Sequence, residues 1–355
     1  MLVEAIYPTR FDAAQYDHLL ANGFFRGASM MYKTQLLCIG NKVSSVINIR
    51  LPLENHEFSK SQRRLKSKVE KRFRIKVHPY YTNKEHDRLY HTFKQKFRGF
   101  LYPDIESFLS LGSPFAFTIF NTHIIEIFDG DKLIGFSLFD FGAKACAGLL
   151  AVYDLDYAKY SLGKYTLLKE IEIAKYEGYN FYYPGYILNN DKTFDYKVCV
   201  GNVEKLNWNI GWQHTENLRQ GDYLSDEIEA KTNTALAFIK ANGFEGKLFY
   251  YPNFSLGYLM NIPRVFTFPV YIQLFNSGIS GDIYLYYDHF KKEYVLGSFQ
   301  IISVFPRSER LEISDEYLNS AELDLNIKEN IQVFCRTADL TEIKDVLELF
   351  QPPSE

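Results

Sequence analysis

Cysteine is scarce and scattered. The 355-residue chain has four, Cys38, Cys146, Cys199 and Cys335, with no CxxC pair among them. Neither a disulfide framework nor a sequence-evident zinc site is supported, and isolated buried thiols are expected. No apolar run reaches the ~18 residues of a membrane span before charge or glycine interrupts it, and the opening MLVEAIYPTRFD lacks a signal-peptide pattern, so a cytoplasmic setting is the expectation. The eight histidines form no HExxH or regular metal spacing, and His86 and His91, five apart on a polar stretch, are expected to face solvent. There is no P-loop, G-x-G-x-x-G or G-x-S-x-G. A net charge of -3 argues against a wholly basic nucleic-acid binder.

What is present is aromatic side chain, 27 Tyr and 30 Phe, which serve equally as core filler, stacking platform and pocket wall. Patterning divides the chain into three. Residues 1–112 read as a small N-terminal α/β region: a helix over Asp12–Ala21, strands in MMYKTQLLCIG and VSSVINIRLPL, then a long basic helix. Residues 113–212 open with short strands, FAFTIF, HIIEIF, LIGFSLFDF and AGLLAVYD, with a hairpin signalled by Asp129-Gly130-Asp131-Lys132. A helix over Leu162–Tyr176 follows, apolar at Leu168, Ile171 and Ala174 with Glu170 and Lys175 elsewhere, stopped by Gly178 and succeeded by the strand FYYPGYIL. Residues 213–355 read as an α+β extension of no assigned role, with a helix near Ile228–Lys240, several strands and a last helix near Leu340–Phe350. Ala-Asn-Gly-Phe occurs at Ala21–Phe24 and Ala241–Phe244, each time after a helical pattern, and reads as a helix stop rather than a duplication.

Charge is uneven. Between Ser59 and Lys76 stand Lys60, Arg63, Arg64, Lys66, Lys68, Lys71, Arg72, Arg74 and Lys76 against the single acid Glu70. Capped at Ser59 or Ser61, this helix aligns Leu65, Val69 and Phe73 on a packing seam and leaves cations on the remaining face. Such a face is either a solvated surface or a phosphate-binding one.

The stretch Tyr153–Lys197 carries the most specific pattern: YDLD, SLGKY opening a helix, an aromatic strand ending in PGY, then Tyr196-Lys197. It resembles the core of the aminoacyl-tRNA–protein transferases, the arginyl- and leucyl-transferases of the N-degron pathway. Phe58-Ser59-Lys60-Ser61-Gln62-Arg63-Arg64 and Ile49-Arg50 resemble further elements of that family, and the likeness extends over about Gly23 to Leu206. It implies an α+β fold with a GNAT-like N-acyltransferase core, in which an antiparallel meander is followed by a helix and a strand. The implied activity is transfer of Arg or Leu from aminoacyl-tRNA to the N-terminal amine of an acceptor protein; no cofactor is expected, and no metal, because only Cys38 stands where the family has a cysteine cluster implicated in metal binding.

The resemblance points to Ser59, Lys60, Ser61, Arg63 and Arg64 for tRNA contact, and to Leu162, Gly163, Lys164, Tyr165, Tyr196 and Lys197 for the substrate and the tRNA end. Asp140, Tyr153, Asp156 and Ser161 are the catalytic candidates. A carboxylate there can bind or deprotonate the acceptor ammonium, and a helix start offers N–H groups to an oxyanion. Asp156 and Ser161 serve equally as plain helix-start residues, Ser being a good N-cap, and Asp140 as a turn residue before Phe141-Gly142. Departures are clear. The family's C-x-x-C cluster is reduced to Cys38, YDLD replaces YDPD, PGY replaces LGY or MGY, and an extra residue precedes Tyr196-Lys197, weakening Lys192. Two alternatives stay open: an acyl-CoA N-acyltransferase, against which stands the single glycine of Ser161-Leu162-Gly163, and a non-enzymatic paralogue that binds tRNA or protein. The amino acid donated, the acceptor residue and the oligomeric state are not encoded in any motif.

Overall fold

The structure, a computed structural model, describes all residues except 1, 11, 82, 96–101, 111–118, 260, 277–281, 303–322, 325 and 351–355. In chain order the elements are β1 (Val3–Ile6), α1 (Ala13–Ala21), β2 (Phe25–Gly27), β3 (Met30–Thr34), β4 (Leu36–Ile39), β5 (Lys42–Pro52), α2 (Lys60–Glu70), β6 (Arg74–Pro79), α3 (Lys84–Lys94), α4 (Ile105–Ser110), β7 (Asn121–Asp129), β8 (Lys132–Phe141) and β9 (Ala145–Tyr153). Next come α5 (Leu162–Tyr176), β10 (Phe181–Leu188), β11 (Glu204–Asn207), β12 (Gly211–His214), α6 (Leu224–Ala241), β13 (Lys247–Tyr250), α7 (Leu256–Leu259), β14 (Val270–Asn276), β15 (Asp282–Asp288), β16 (Glu293–Ile302), β17 (Ile327–Thr337) and α8 (Leu340–Glu348). The fold class is α+β, as expected. Backbone contacts separate two compact units, one of Ala5–Lys33 and Val46–Gln220, the other of Met1–Glu4, Thr34–Ser45 and Gly221–Glu355.

In the first unit the sheet runs β12-β11-β5-β10-β9-β8-β7-β6. The Asp129–Lys132 signal is realised as a hairpin of β7 and β8 whose two-residue loop has Gly130 at φ +62. β7, β8 and β9 form an antiparallel meander, α5 crosses over, and β10 returns parallel to β9. The bounds of α5 and β10 are those read from the sequence. FAFTIF lies outside the described residues but for Ile119 and Phe120.

The basic helix is shorter than its charge run. α2 ends at Glu70, and Arg74 and Lys76 belong to the strand β6. Its seam forms as expected, Leu65, Val69 and Phe73 packing with Leu162 and Tyr165 of α5. Lys66 is a correction: it is buried, paired with Glu172 and set over the Phe58 ring, so it leaves the cationic face. His86 is another. It is fully buried on α3, its Nε2 2.7 Å from Glu126 Oε1, while His78 Nε2 lies 3.0 Å from Oε2 of the same carboxylate. One carboxylate takes both imidazoles there, which overrides the polar look of the sequence, although His86 Nδ1 is left without a partner among the described residues. Cys199 is exposed rather than buried.

The second unit packs α6 and α8 with the antiparallel sheet β13-β14-β15-β16-β17. α1 and α6 both stop at the Asn-Gly step foreseen, with Gly23 at φ +80 and Gly243 at φ +81.

Candidate active site

The parallel pairing of β9 with β10 covers three residues only, Ala145–Ala147 against Phe181–Tyr183. β10 then bulges between Tyr182 and Gly185, where Gly185 takes φ +103, and continues bonded to β5. β9 continues bonded to β8 as far as Tyr153. The two strands part, and the sheet has a gap between Gly148–Tyr153 and Pro184–Leu188.

Glu170 of α5 closes the narrow end. Its residue is 2% exposed, and Oε2 accepts a 2.6 Å hydrogen bond from the Tyr182 hydroxyl. Gly148 makes the space: a Cβ there would lie 2.5 Å from Tyr182 Oη and 2.8 Å from Glu170 Oε2. Burial raises the Glu170 carboxyl to about 7, against the Tyr182 and Ser137 hydroxyls, which favour its charged form.

A short 3-10 helix, Asp195–Val200, carries Tyr196 and Lys197. The Lys197 ammonium sits where a Gly185 Cβ would be 3.0 Å away, so the glycine of PGY admits it to the gap. It lies 5.1 Å from the Tyr186 ring and 5.0 Å from the Phe194 ring, with no carboxylate partner among the described residues. Desolvation lowers it to about 8. Tyr196 keeps 46% of its surface, and its phenol is raised to about 12 by desolvation and then by the nearby Glu170 and Tyr153. Arg219 holds the approach to this helix: Nε donates 2.8 Å to Leu188 O, Nη2 donates 2.9 Å to Asp191 O, and the guanidinium pairs with Asp195.

At the start of α5, Ser161 adopts φ +55 and ψ +46, and its hydroxyl caps nothing. That corrects the capping expectation, because a left-handed residue turns its side chain off the first-turn N–H groups. Leu162 and Tyr165 are fully buried; the Tyr165 hydroxyl donates 3.2 Å to Glu70, which joins α5 to α2. Gly163 lies beside the Tyr153 ring, where a Cβ would meet Tyr153 Cε1 at 3.2 Å, and Lys164 is half-buried. Asp156 is exposed and gives only its N–H, 3.0 Å from Asp154 Oδ1, so Asp154 is the residue that caps the preceding turn; its other oxygen accepts from Lys132 at 2.8 Å.

Asp140 is not brought together with these groups. It pairs with Ala147 on β9, six residues from Tyr153, or roughly 20 Å of strand. It is 1% exposed, with Arg26 Nη1 at 2.9 Å, Thr122 Oγ1 at 2.7 Å and Tyr16 Oη at 3.2 Å. Its surroundings satisfy it fully, although a cavity of about 100 Å³ lined by Asp12, Tyr16 and Phe120 adjoins it.

The tRNA candidates do gather. Ser59 caps α2 in a capping box with Gln62, and Ser61, Lys60, Arg63 and Arg64 are exposed in the first turns. Lys60, Arg63, Arg64, Lys68 and Lys71 have no carboxylate partner among the described residues, whereas Arg72 pairs with Asp129 at 3.0 Å. The sequence reading missed Glu170, Tyr182, Gly148 and Gly185. For Glu170 a signal existed: it stands about 40° around the helix from Ala174 and about 60° from Leu167, inside the buried arc. Its partners on the sheet gave none.

Known proteins resemble this chain over part of its length. Residues 73–207 match the family described as arginine-tRNA-protein transferase, C terminus. The aspartate/glutamate leucyltransferase of Campylobacter jejuni strain 81-176 is 27% identical over 167 residues, 43% of this chain and 64% of that protein. The same-named proteins of Leptospira interrogans and Shewanella sp. strain MR-4 are each 26% identical over 210 residues, covering 54% and 58% of this chain and 78% and 83% of theirs. The chain thus spans just under two thirds of the Campylobacter relative. The structure of L-PGS from Bacillus licheniformis shares 12% identity, covers 51% of this chain and 52% of that one, and has a TM-score of 0.32, too low to bear on the fold. Over residues 73–207 the chain is similar to the aminoacyl-tRNA–protein transferase family. Within it, the curated relatives it resembles are leucyltransferases.

Proposed function

We propose that the protein moves an amino acid, Arg or Leu, from aminoacyl-tRNA to the N-terminal amine of an acceptor protein, in a cytoplasmic N-degron setting and on a GNAT-like core. The observation that carries this reading is Lys197, an ammonium without a carboxylate partner among the described residues, set at the gap between β9 and β10 in the same unit as the exposed cations Lys60, Arg63 and Arg64 of α2. The meander, helix and returning strand support the GNAT-like assignment.

The aminoacyl ester is already activated, so alignment and charge stabilisation supply most of the acceleration. The neutral acceptor amine attacks the ester carbon, a C–N bond forms, and the C–O bond to the terminal ribose breaks. One proton passes from the amine to the departing ribose oxygen. Lys197 stabilises the developing oxyanion, with the uncapped N–H groups at Leu162 and Gly163 facing the same charge. Lys164 and Tyr196 frame the tRNA end, Tyr153, Asp156 and Ser161 the acceptor side, while Tyr165, buried and bonded to Glu70, holds α5 to α2. Lys60, Arg63 and Arg64 hold phosphates, with Ser59 and Ser61 beside them. Asp140, already satisfied by Arg26, Thr122 and Tyr16, takes a supporting part.

The test follows radiolabelled Arg and Leu from charged tRNA to peptides beginning with Asp, Glu, Arg or Lys. Wild type should transfer one of them, with tRNA affinity falling with salt by a slope of roughly 0.7 to 0.9 per phosphate contact. The Lys60/Arg63/Arg64→Ala variant should show a slope smaller by about two to three. Binding of charged tRNA without any transfer would leave a binding protein and sink the reading.

A further inference from the structure

Gln62 is a polar side chain on a helix otherwise given to surface cations, yet it is 7% exposed. Its Oε1 accepts from the Ser59 N–H at 2.6 Å, closing the capping box of α2. Its Nε2 donates to Cys199 O at 2.8 Å and Val200 O at 3.0 Å, the last carbonyls of the 3-10 helix that carries Lys197. Both donors are used, and both reach the same target.

That helix needs outside support. Six residues in 3-10 geometry hold themselves poorly, and Phe194 at its start provides no side-chain cap. Arg219 fastens the chain at its beginning, through Leu188 O, Asp191 O and Asp195. Gln62 fastens its end. Lys197 lies between the two fastenings, and Lys60, Arg63 and Arg64 lie within one turn of Gln62.

We propose that Gln62 is a positioning residue: it ties the first turn of α2 to the Lys197 helix, so that a polynucleotide backbone docked on Lys60, Arg63 and Arg64 fixes the Lys197 ammonium at the gap. This rests on the assignment of α2 to tRNA given above, and it adds the physical link between binding and chemistry. A phosphate backbone on the helix start restrains the capping box, the capping box includes the Gln62 amide, and the amide holds Cys199 and Val200. Loss of the amide donors frees the end of the short helix, and the ammonium then reaches water.

Gln62→Glu separates the roles. A carboxylate still accepts from Ser59 N–H but cannot donate to the two carbonyls. Gln62→Met, of similar volume, removes the tether should the carboxylate prevent folding. The first readout is the pH dependence of Lys197 acetylation by acetic anhydride, followed by mass spectrometry with and without uncharged tRNA. Wild type should titrate near 8, and tRNA should slow the labelling. Both tether variants should titrate about one unit or more higher and lose the tRNA effect. The second readout is transfer, where Gln62→Glu should lower kcat about tenfold with KM for charged tRNA within about twofold of wild type. An unchanged Lys197 titration in folded Gln62→Glu and Gln62→Met would overturn the proposal. Absent transfer in wild type would overturn the transferase reading alone, because the acetylation readout needs no turnover.

Discussion

The hydroxyl of Tyr182 and the carboxylate of Glu170 meet at 2.6 Å over the one position of β9, Gly148, that has no side chain to keep them apart. Strand, helix and glycine together make a buried acid at the narrow end of a parted sheet.

That acid gives stability a definite pH dependence. Folding raises the Glu170 carboxyl to about 7, so the folded state binds its proton more tightly than the unfolded chain does. Its contribution is therefore favourable below the ordinary carboxylate range and is lost as pH rises through about 7. Glu170 alone should make the protein about 2 kcal/mol more stable at pH 5.5 than at pH 8.5. Urea unfolding of wild type and Glu170→Gln at the two pH values measures this as the difference between their pH dependences. If Glu170→Gln keeps the full dependence, the carboxyl is not the group responsible.

Gly148→Ala puts a methyl 2.5 Å from Tyr182 Oη and 2.8 Å from Glu170 Oε2. Both side chains are buried and bonded to each other, so neither yields without breaking the pair. Overpacking of this kind costs about 1–3 kcal/mol. The double variant Gly148→Ala/Tyr182→Phe, which removes the oxygen, should recover part of that loss. Additive losses in urea unfolding would show that the methyl is accommodated elsewhere.

Asp140 and Arg26 test the division between support and chemistry. The pair is buried, with side chains 1% and 2% exposed, and the guanidinium also donates 2.9 Å to Leu109 O. Arg26→Leu leaves a buried carboxylate with only two hydroxyl partners and should cost about 3–5 kcal/mol. Asp140→Asn keeps the shape and one accepting oxygen, so that one of Thr122 and Tyr16 must turn its hydroxyl to accept; the variant should be less stable, but any folded fraction should retain most of its transfer rate. A large loss of kcat in folded Asp140→Asn would return Asp140 to the reacting groups.

The elements that sequence made legible are those with a local cause. The Asp129–Lys132 turn, the apolar stripe of α5, the cap of α2, expected at Ser59 or Ser61 and formed at Ser59, and the Asn-Gly helix stops follow from short-range chemistry, and each formed where its residues stand. The grouping of Ser59, Lys60, Arg63 and Arg64 on one surface was legible for the same reason. What sequence hid depends on partners distant in the chain. Glu170 looks like a surface acid until Tyr182 and Gly148 come to face it, and His86 looks solvated until Glu126 accepts from it. Lys66 joins the cationic face by spacing and leaves it because Glu172 lies across on α5. The gap itself is a property of two strands that separate after three paired residues, which no single strand pattern encodes.

Lys197 sets the pH limit of the proposed chemistry. Its ammonium is lowered to about 8 by desolvation, so a reaction needing the cation should slow as pH rises through that value, on the side where an acceptor amine becomes more nucleophilic. The kcat profile of wild type should accordingly turn down above pH about 8. Lys197→Arg retains a charge that does not titrate in this range, and its profile should continue to rise where wild type falls, at a lower plateau because the larger head meets Gly185 and Phe194. Lys197→Met removes the charge and should lose about 10²–10³ in kcat, the usual effect of deleting one oxyanion donor. Single-turnover transfer from charged tRNA between pH 6 and 9.5 distinguishes these cases, and a profile for Lys197→Arg that turns down with wild type would assign the limit to another group.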